Sequence, residues 1–233
     1  MRSCLIQVLV ALLVVLLLLW FALPLAVSAL AAGALNAAGF NGTDTRVEVS
    51  ANPPPLLITG RGDVHIVSSD VSLSDLHAAA VDVTLSDVDL LSREIGGVEG
   101  TLEGVQVAAP NGDTVSIDAV SLAGPADRAA ASCQVSLAQA RELAESQLAS
   151  QGVKATVLLT APNVVTLNVG GNAFKGRLVA TDGSLFLVPE SEAMPTVLLI
   201  SPGRGNPFRV ESVSISETHV ILKGTIDVES LLS

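Results

Sequence analysis

The chain has 233 residues, with 23 acidic against 12 basic side chains and a formal net charge of −11. That excess of acid excludes nucleic-acid binding by phosphate neutralisation. It also sets the chain against anionic lipid headgroups except where basic residues cluster. There is no tyrosine, and the single tryptophan, Trp20, stands in an N-terminal apolar run, so stacking platforms for sugars or bases are nearly absent.

No charge falls between Arg2 and Asp44. Cys4 to Leu23 is an apolar run with Gln7 as its strongly polar member. At about 1.5 Å per helical residue it is long enough to cross a bilayer core. Arg2 ahead of the run keeps the extreme N-terminus cytoplasmic, so the rest of the chain is exported. Ala29-Leu30-Ala31 offers a small-x-small cleavage site, but the apolar core exceeds a signal peptide's usual length. The length favours a signal anchor: residues 1–40 form an anchor or signal peptide with a helical extension, and residues 41–233 form one domain of ordinary size. The expected location is the cell membrane, single-pass, with the domain extracytoplasmic, or secreted if the leader is cut. Cys4 at the membrane edge is a palmitoylation candidate or a small apolar residue. Cys133 is the one cysteine of the exported part, which therefore has no internal disulfide.

Ser28 to Gly39 is Ala-rich and predicts a continued helix ending near Asn41-Gly42-Thr43-Asp44. Asn52-Pro53-Pro54-Pro55 is a stiff break. The apolar period then becomes two, the mark of strands: Val81, Val83 and Leu85 alternate with Asp82, Thr84 and Ser86. The alternation slips repeatedly by one, as from Ile66 to Val71, Leu85 to Val88, Leu102 to Val105, Ile117 to Val120 and Val210 to Val213. Each slip needs either a bulge or a turn. Several slips, such as that at Ser86-Asp87, have no Gly, Pro or Asn. They predict bulges and a strongly curved antiparallel sheet of long bent strands.

One helix interrupts the strands. Ser136 is its N-cap and Gln139 completes a capping box; Leu137, Ala140, Ala144 and Leu148 share a face; Gly152 is the terminating residue. Strands are then expected at Ala155–Thr160, Val164–Val169, Phe174–Ala180, Leu185–Val188, Thr196–Ile200, Phe208–Ser216 and Val220–Val228, with a tight hairpin at Asp182-Gly183. The fold class is α+β: a curved antiparallel sheet wrapping one or two helices. A concave aliphatic surface with a helix in it suits an acyl chain.

Three places carry a common pattern: Leu56-Leu57-Ile58-Thr59-Gly60-Arg61 followed by Val64 and Ile66, Thr181-Asp182-Gly183-Ser184-Leu185, and Asn206-Pro207-Phe208 followed by Val210, Val213 and Ile215. On these residues the chain, from roughly Leu56 to Val228, resembles the LmeA-like phospholipid-binding family of exported bacterial envelope proteins. It implies a tubular-lipid-binding type of fold, a glycerophospholipid ligand such as phosphatidylinositol, and a role in envelope lipid or lipoglycan metabolism. The chain departs from the family pattern at Asn206 and at the proline triplet, which leaves the headgroup open. No catalytic motif carries over.

The sharper motifs have plain competitors. Arg61-Gly62-Asp63 spells an integrin-type tripeptide within the strand entry. Asp70, Asp75, Asp82, Asp87 and Asp89 are hard oxygen ligands for Ca²⁺, yet they alternate with Val and Leu as a solvated face does. His65, His77 and His219 have no zinc spacing, and no nucleophile elbow exists. Glu99 and Glu103 read as solvent-facing rather than as a glycosidase pair. Gly203-Arg204-Gly205-Asn206 with Arg209, and Lys175 with Arg177 near Phe174, are basic islands able to hold a lipid phosphate; a plain hairpin loop has the same look.

The reading is a non-enzymatic, membrane-tethered phospholipid-binding protein without cofactor, metal or nucleic-acid partner. Leu56, Leu57, Phe174, Phe186 and Phe208 are its candidate acyl contacts, and Lys175, Arg177, Arg204 and Arg209 its headgroup candidates. The competing reading is an envelope scaffold that binds a protein through the concave sheet.

Overall fold

The computed structural model describes residues 40–50, 61–73, 76–89, 92, 94–108, 114–150, 152–191, 195–202 and 208–228, together with Gly33. The apolar segment 4–23, Leu56, Leu57 and Arg204 lie outside the described residues. Among the described residues no helix is long and apolar enough to cross a membrane.

Two antiparallel sheets and one α-helix make up the described fold. Strands β1 (Asn41–Ser50), β2 (Arg61–Leu73), β3 (Leu76–Asp89), β4 (Gly97–Ala108), β5 (Thr114–Pro125) and β6 (Ala129–Ser136) follow one another as a meander. The helix α1 (Leu137–Ser150) comes next. Then β7 (Ala155–Thr160), β8 (Val164–Val169), β9 (Asn172–Thr181), β10 (Ser184–Pro189) and β11 (Val197–Ile200) build a second, five-stranded sheet. The chain returns through β12 (Phe208–Ile215) and β13 (His219–Ile226), which complete an eight-stranded sheet in the order β1-β2-β3-β4-β5-β6-β13-β12. The period-two reading thus finds β7 and β8 at their observed bounds and the remaining strands within a few residues. Asn41–Asp44, read as a helix end, instead opens β1.

The sheets are not strongly curled, contrary to the expected wrapping sheet. The reason lies in where the phase slips fall. In β2 the buried positions pass from Ile66 and Ser68 to Val71; in β3 from Ala78 to Val81. In β4 the partly buried Leu102 gives way to the buried Val105, and in β5 the half-buried Ile117 gives way to Val120. These four slips lie on one transverse row. Asp70 stands opposite Ala79, Ala79 opposite Gly104, and Gly104 opposite Asp118, and the pairs on either side of the row stay in register. A slip in one strand alone would be a bulge that bends the sheet. A slip shared by neighbours adds no extra residue to either, so the ladder continues. Val71, Ala78, Val81, Leu102, Val105, Ile117 and Val120 accordingly pack in one cluster, although they come from both sides of the row.

True bulges occur elsewhere. One lies where Gly62 pairs with Val88 but Val64 with Leu85, and another between Val210 and Ser212 in β12. Among the described residues, the non-glycine residues in the left-handed region are all aspartates: Asp44, Asp70, Asp87 and Asp182. Aspartate tolerates that conformation because its short polar side chain bonds locally. The Asp87 backbone N–H is held from the neighbouring strand, donating to Asp63 Oδ1 at 3.1 Å.

The helix behaves as its sequence dictates. Gln139 N–H donates to Ser136 Oγ at 3.3 Å, a side-chain N-cap. At the other end Gly152 adopts φ +79°, and two reversed bonds, Gly152 N–H to the Ala149 carbonyl and Val153 N–H to the Leu148 carbonyl, close the last turn at 2.9 Å each. Its apolar face, Leu137, Ala140, Ala144 and Leu148, packs into a core made by Val157, Val165, Leu178 and Leu185 of the second sheet and by Val210, Ile215 and Val220 of β12 and β13. The helix therefore sits against the five-stranded sheet and not in the hollow of a curved one. Glu145 Oε1 accepts the Val157 N–H of β7 at 2.8 Å, so helix α1 blocks that edge strand. The turns of the second sheet block β12: the Gly183 carbonyl accepts Val210 N–H and the Pro162 carbonyl accepts Ile215 N–H.

Candidate functional site

Alternation along β7 to β11 gives the five-stranded sheet two faces. The inner face carries Val157, Leu159, Val165, Leu167, Leu178, Leu185 and Leu187 into the core. The outer face carries what falls between them, and register sets its neighbours. Phe186 stands between Val179 and Leu198; Arg177 stands between Val188 and Val164; Lys175 is opposite Thr166, which is opposite Leu158. Much of this face is open to solvent: Leu198 is 53% exposed, Leu158 50%, and Val179 and Val188 36% each. On the edge strand β11, Leu198 shares this face, while Val197, opposite the inward Leu187, and Leu199, at the register shift, are also exposed, 43% and 47%. Cross-strand neighbours lie about 5 Å apart, so Leu198, Phe186, Val179 and Val188 form one contiguous apolar patch with two cations set into its side.

The outer face is also where the basic pair sits. Lys175 and Arg177 are both exposed. Arg177 Nε lies 3.6 Å from Glu190 Oε1, with both side chains largely in solvent. An ion pair so placed contributes little and exchanges readily for another anion.

Of the sequence-predicted site residues, Phe186, Lys175 and Arg177 come together on this face. Phe174 pairs with Leu167 on the inner face, half-buried at the far end. Phe208 packs into the core. Arg209 is exposed where β12 meets the Asp182-Gly183 hairpin, its stem against Gly183. Alternation alone did not single out Leu158, Val164, Val179, Val188 or Leu198. The signal was present in the runs Val157-Leu158-Leu159, Leu185-Phe186-Leu187-Val188 and Val197-Leu198-Leu199-Ile200, which are apolar on both phases where a half-solvated strand alternates.

The depressions beside the helix are open to solvent. One of about 520 Å³ is lined by the charged Arg141, Glu142, Glu145 and Lys154 together with Ala138, Val153 and Ala155. The helix's apolar side meets the core directly through Leu137, Ala140, Ala144 and Leu148. The acyl-chain groove expected between helix and sheet is thus filled, among the described residues, by the protein's own side chains.

The remaining motifs serve the scaffold. Arg61 Nε pairs with Asp89 at 3.3 Å while Asp63 accepts from Asp87, so both charges of the Arg-Gly-Asp tripeptide are engaged along a strand. Among the described residues no cluster of acids, histidines or cysteines could hold a metal ion. The histidines make local links: His65 Nε2 to Asp82 at 2.8 Å, His77 Nδ1 to Ser72 at 3.1 Å, and His219 to Thr218 at 2.7 Å and Asp118 at 3.3 Å. Glu99 and Glu103 are exposed on β4. Burial pushes the Cys133 thiol above its ordinary pKa, the direction of an unreactive cysteine.

Compared with family models, curated proteins and solved structures, the chain gives no match.

Proposed function

We propose that this is a membrane-tethered, non-enzymatic phospholipid-binding protein of the cell envelope, acting in lipid or lipoglycan metabolism or in lipid transfer. The observation that carries the proposal is the outer face of the five-stranded sheet. Arg177 stands between Val188 and Val164 beside exposed aliphatic side chains and Phe186, with Lys175 next to it on the same strand, on a chain whose net charge is −11. Apolar area beside phosphate-pairing cations suits a phospholipid: burying each methylene contributes about 0.8 kcal/mol, and a cation near an anionic headgroup layer about 1 kcal/mol. The apolar run from Cys4 to Leu23 holds such a face near lipid throughout its life.

The test uses the full chain carrying a protease site inserted ahead of Phe40, folded in membranes and then released. The expected result is that the released domain floats with phospholipid vesicles or retains a phospholipid in native mass spectrometry. A domain that does neither favours the second reading, an envelope scaffold that binds a protein. The specific observation on that side is the packing of helix α1, whose apolar face meets the core directly among the described residues.

A further inference from the structure

We infer that the outer face of the five-stranded sheet docks flat on an anionic bilayer and engages lipid in place, without lifting it out of the membrane. This deepens the lipid-binding reading and rests on it. Three observations carry it. The apolar patch of Leu198, Phe186, Val179 and Val188 is spread over adjacent strands of an uncurled sheet, so it offers a plate and not a pocket. The inner face behind it is closed by its own core, so an acyl chain has no interior to enter from this side. Lys175 and Arg177 project from the same face in a strongly acidic protein, which selects anionic over zwitterionic headgroups; Glu190 at the rim holds Arg177 loosely enough to be replaced by a phosphate.

The topology sets where this plate lies. Strand β1 is one edge of the eight-stranded sheet, while the five-stranded sheet is bound to β12, the opposite edge. Seven interstrand steps of about 4.8 Å separate those edges by roughly 34 Å. The docking plate thus lies at the edge far from β1, the first described strand.

The experiment uses the full chain in proteoliposomes, with Cys4→Ser and Cys133→Ala as background and a single environment-sensitive label on Leu198→Cys. A second preparation carries the label on Ser121→Cys, an exposed position of the eight-stranded sheet. Vesicles are phosphatidylcholine alone or mixed with phosphatidylglycerol, with spin-labelled lipid as quencher. The expected result is severalfold stronger quenching at position 198 than at 121 in the anionic vesicles, falling to the level of 121 with Lys175→Glu/Arg177→Glu or with Phe186→Ser. Equal quenching at both positions, or insensitivity to charge reversal, overturns the docking face. Shielding of position 198 that grows with protein concentration in lipid-free detergent assigns the face to a second copy and also overturns it. Transfer of labelled phospholipid between vesicles at one lipid per protein overturns engagement in place. Flotation of the released domain together with an unquenched position 198 sinks this surface and leaves the lipid-binding function standing.

Discussion

Substituting Gly104 by alanine tests whether the aligned slips hold the large sheet in phase. Gly104 has φ +58°, and a Cβ built there would lie 2.9 Å from the Ala79 Cβ on the neighbouring strand, closer than real Cβ atoms come. The left-handed conformation costs an alanine about 1–2 kcal/mol, and forcing the methyl against Ala79 costs about 1–3 kcal/mol in a packed region. Allowing for partial relaxation, Gly104→Ala should lose about 2–4 kcal/mol. Ala79→Gly in the same chain removes the collision but not the backbone penalty. The double variant should therefore recover about 1–2 kcal/mol beyond the sum of the single changes. Urea unfolding is best followed by far-ultraviolet circular dichroism, because the described domain has no tryptophan or tyrosine. A Gly104→Ala loss under about 0.5 kcal/mol, or strictly additive effects in the double variant, would refute the account of the row as one phase slip shared by neighbouring strands.

Further tests address the core, the helix and the buried thiol. Val210 is 1% exposed where β12 meets the five-stranded sheet, and Val210→Ala removes two methyls from that junction; a loss of about 2–3 kcal/mol in urea unfolding is expected, and a loss near zero would mean that the site collapses around the gap. Ser136→Ala should cost about 1 kcal/mol through the lost N-cap, and Ser136→Asp should keep most of it. Gly152→Ala should cost about 1 kcal/mol from the left-handed terminus, whereas Gly152→Asn should cost less. Cys133 ionises less readily folded than unfolded, so its contribution is complete below the free-thiol pKa and is lost as pH rises through the folded value. Stability measured across that alkaline range should fall more steeply in the native chain than in Cys133→Ala, and parallel curves would contradict the buried thiol.

What the sequence determined about this protein are the features that local chemistry decides alone. Capping at Ser136, termination at Gly152, the helix face of Leu137, Ala140, Ala144 and Leu148, the Asp182-Gly183 turn and the period-two strands all depend on residues within a few positions of one another. Each is found where the spacing places it. The phase slips were legible too, and so was the bulge at Asp87.

Only the tertiary structure decided what the slips do together. Asp70, Ala79, Gly104 and Asp118 are far apart in sequence and meet on one row only through strand pairing, so a chain read one strand at a time suggests curling where the paired sheet stays open. The helix is a second case: its apolar stripe says that it must be buried, not against which sheet. The candidate site is a third. Lys175, Arg177 and Phe186 join Val179, Val188 and Leu198 because register places them side by side, and Phe174 and Phe208 leave the group because their strands turn them toward the core. Periodicity fixes the face of a residue relative to its own strand. Which face meets water is settled by what the other strands bring to cover it.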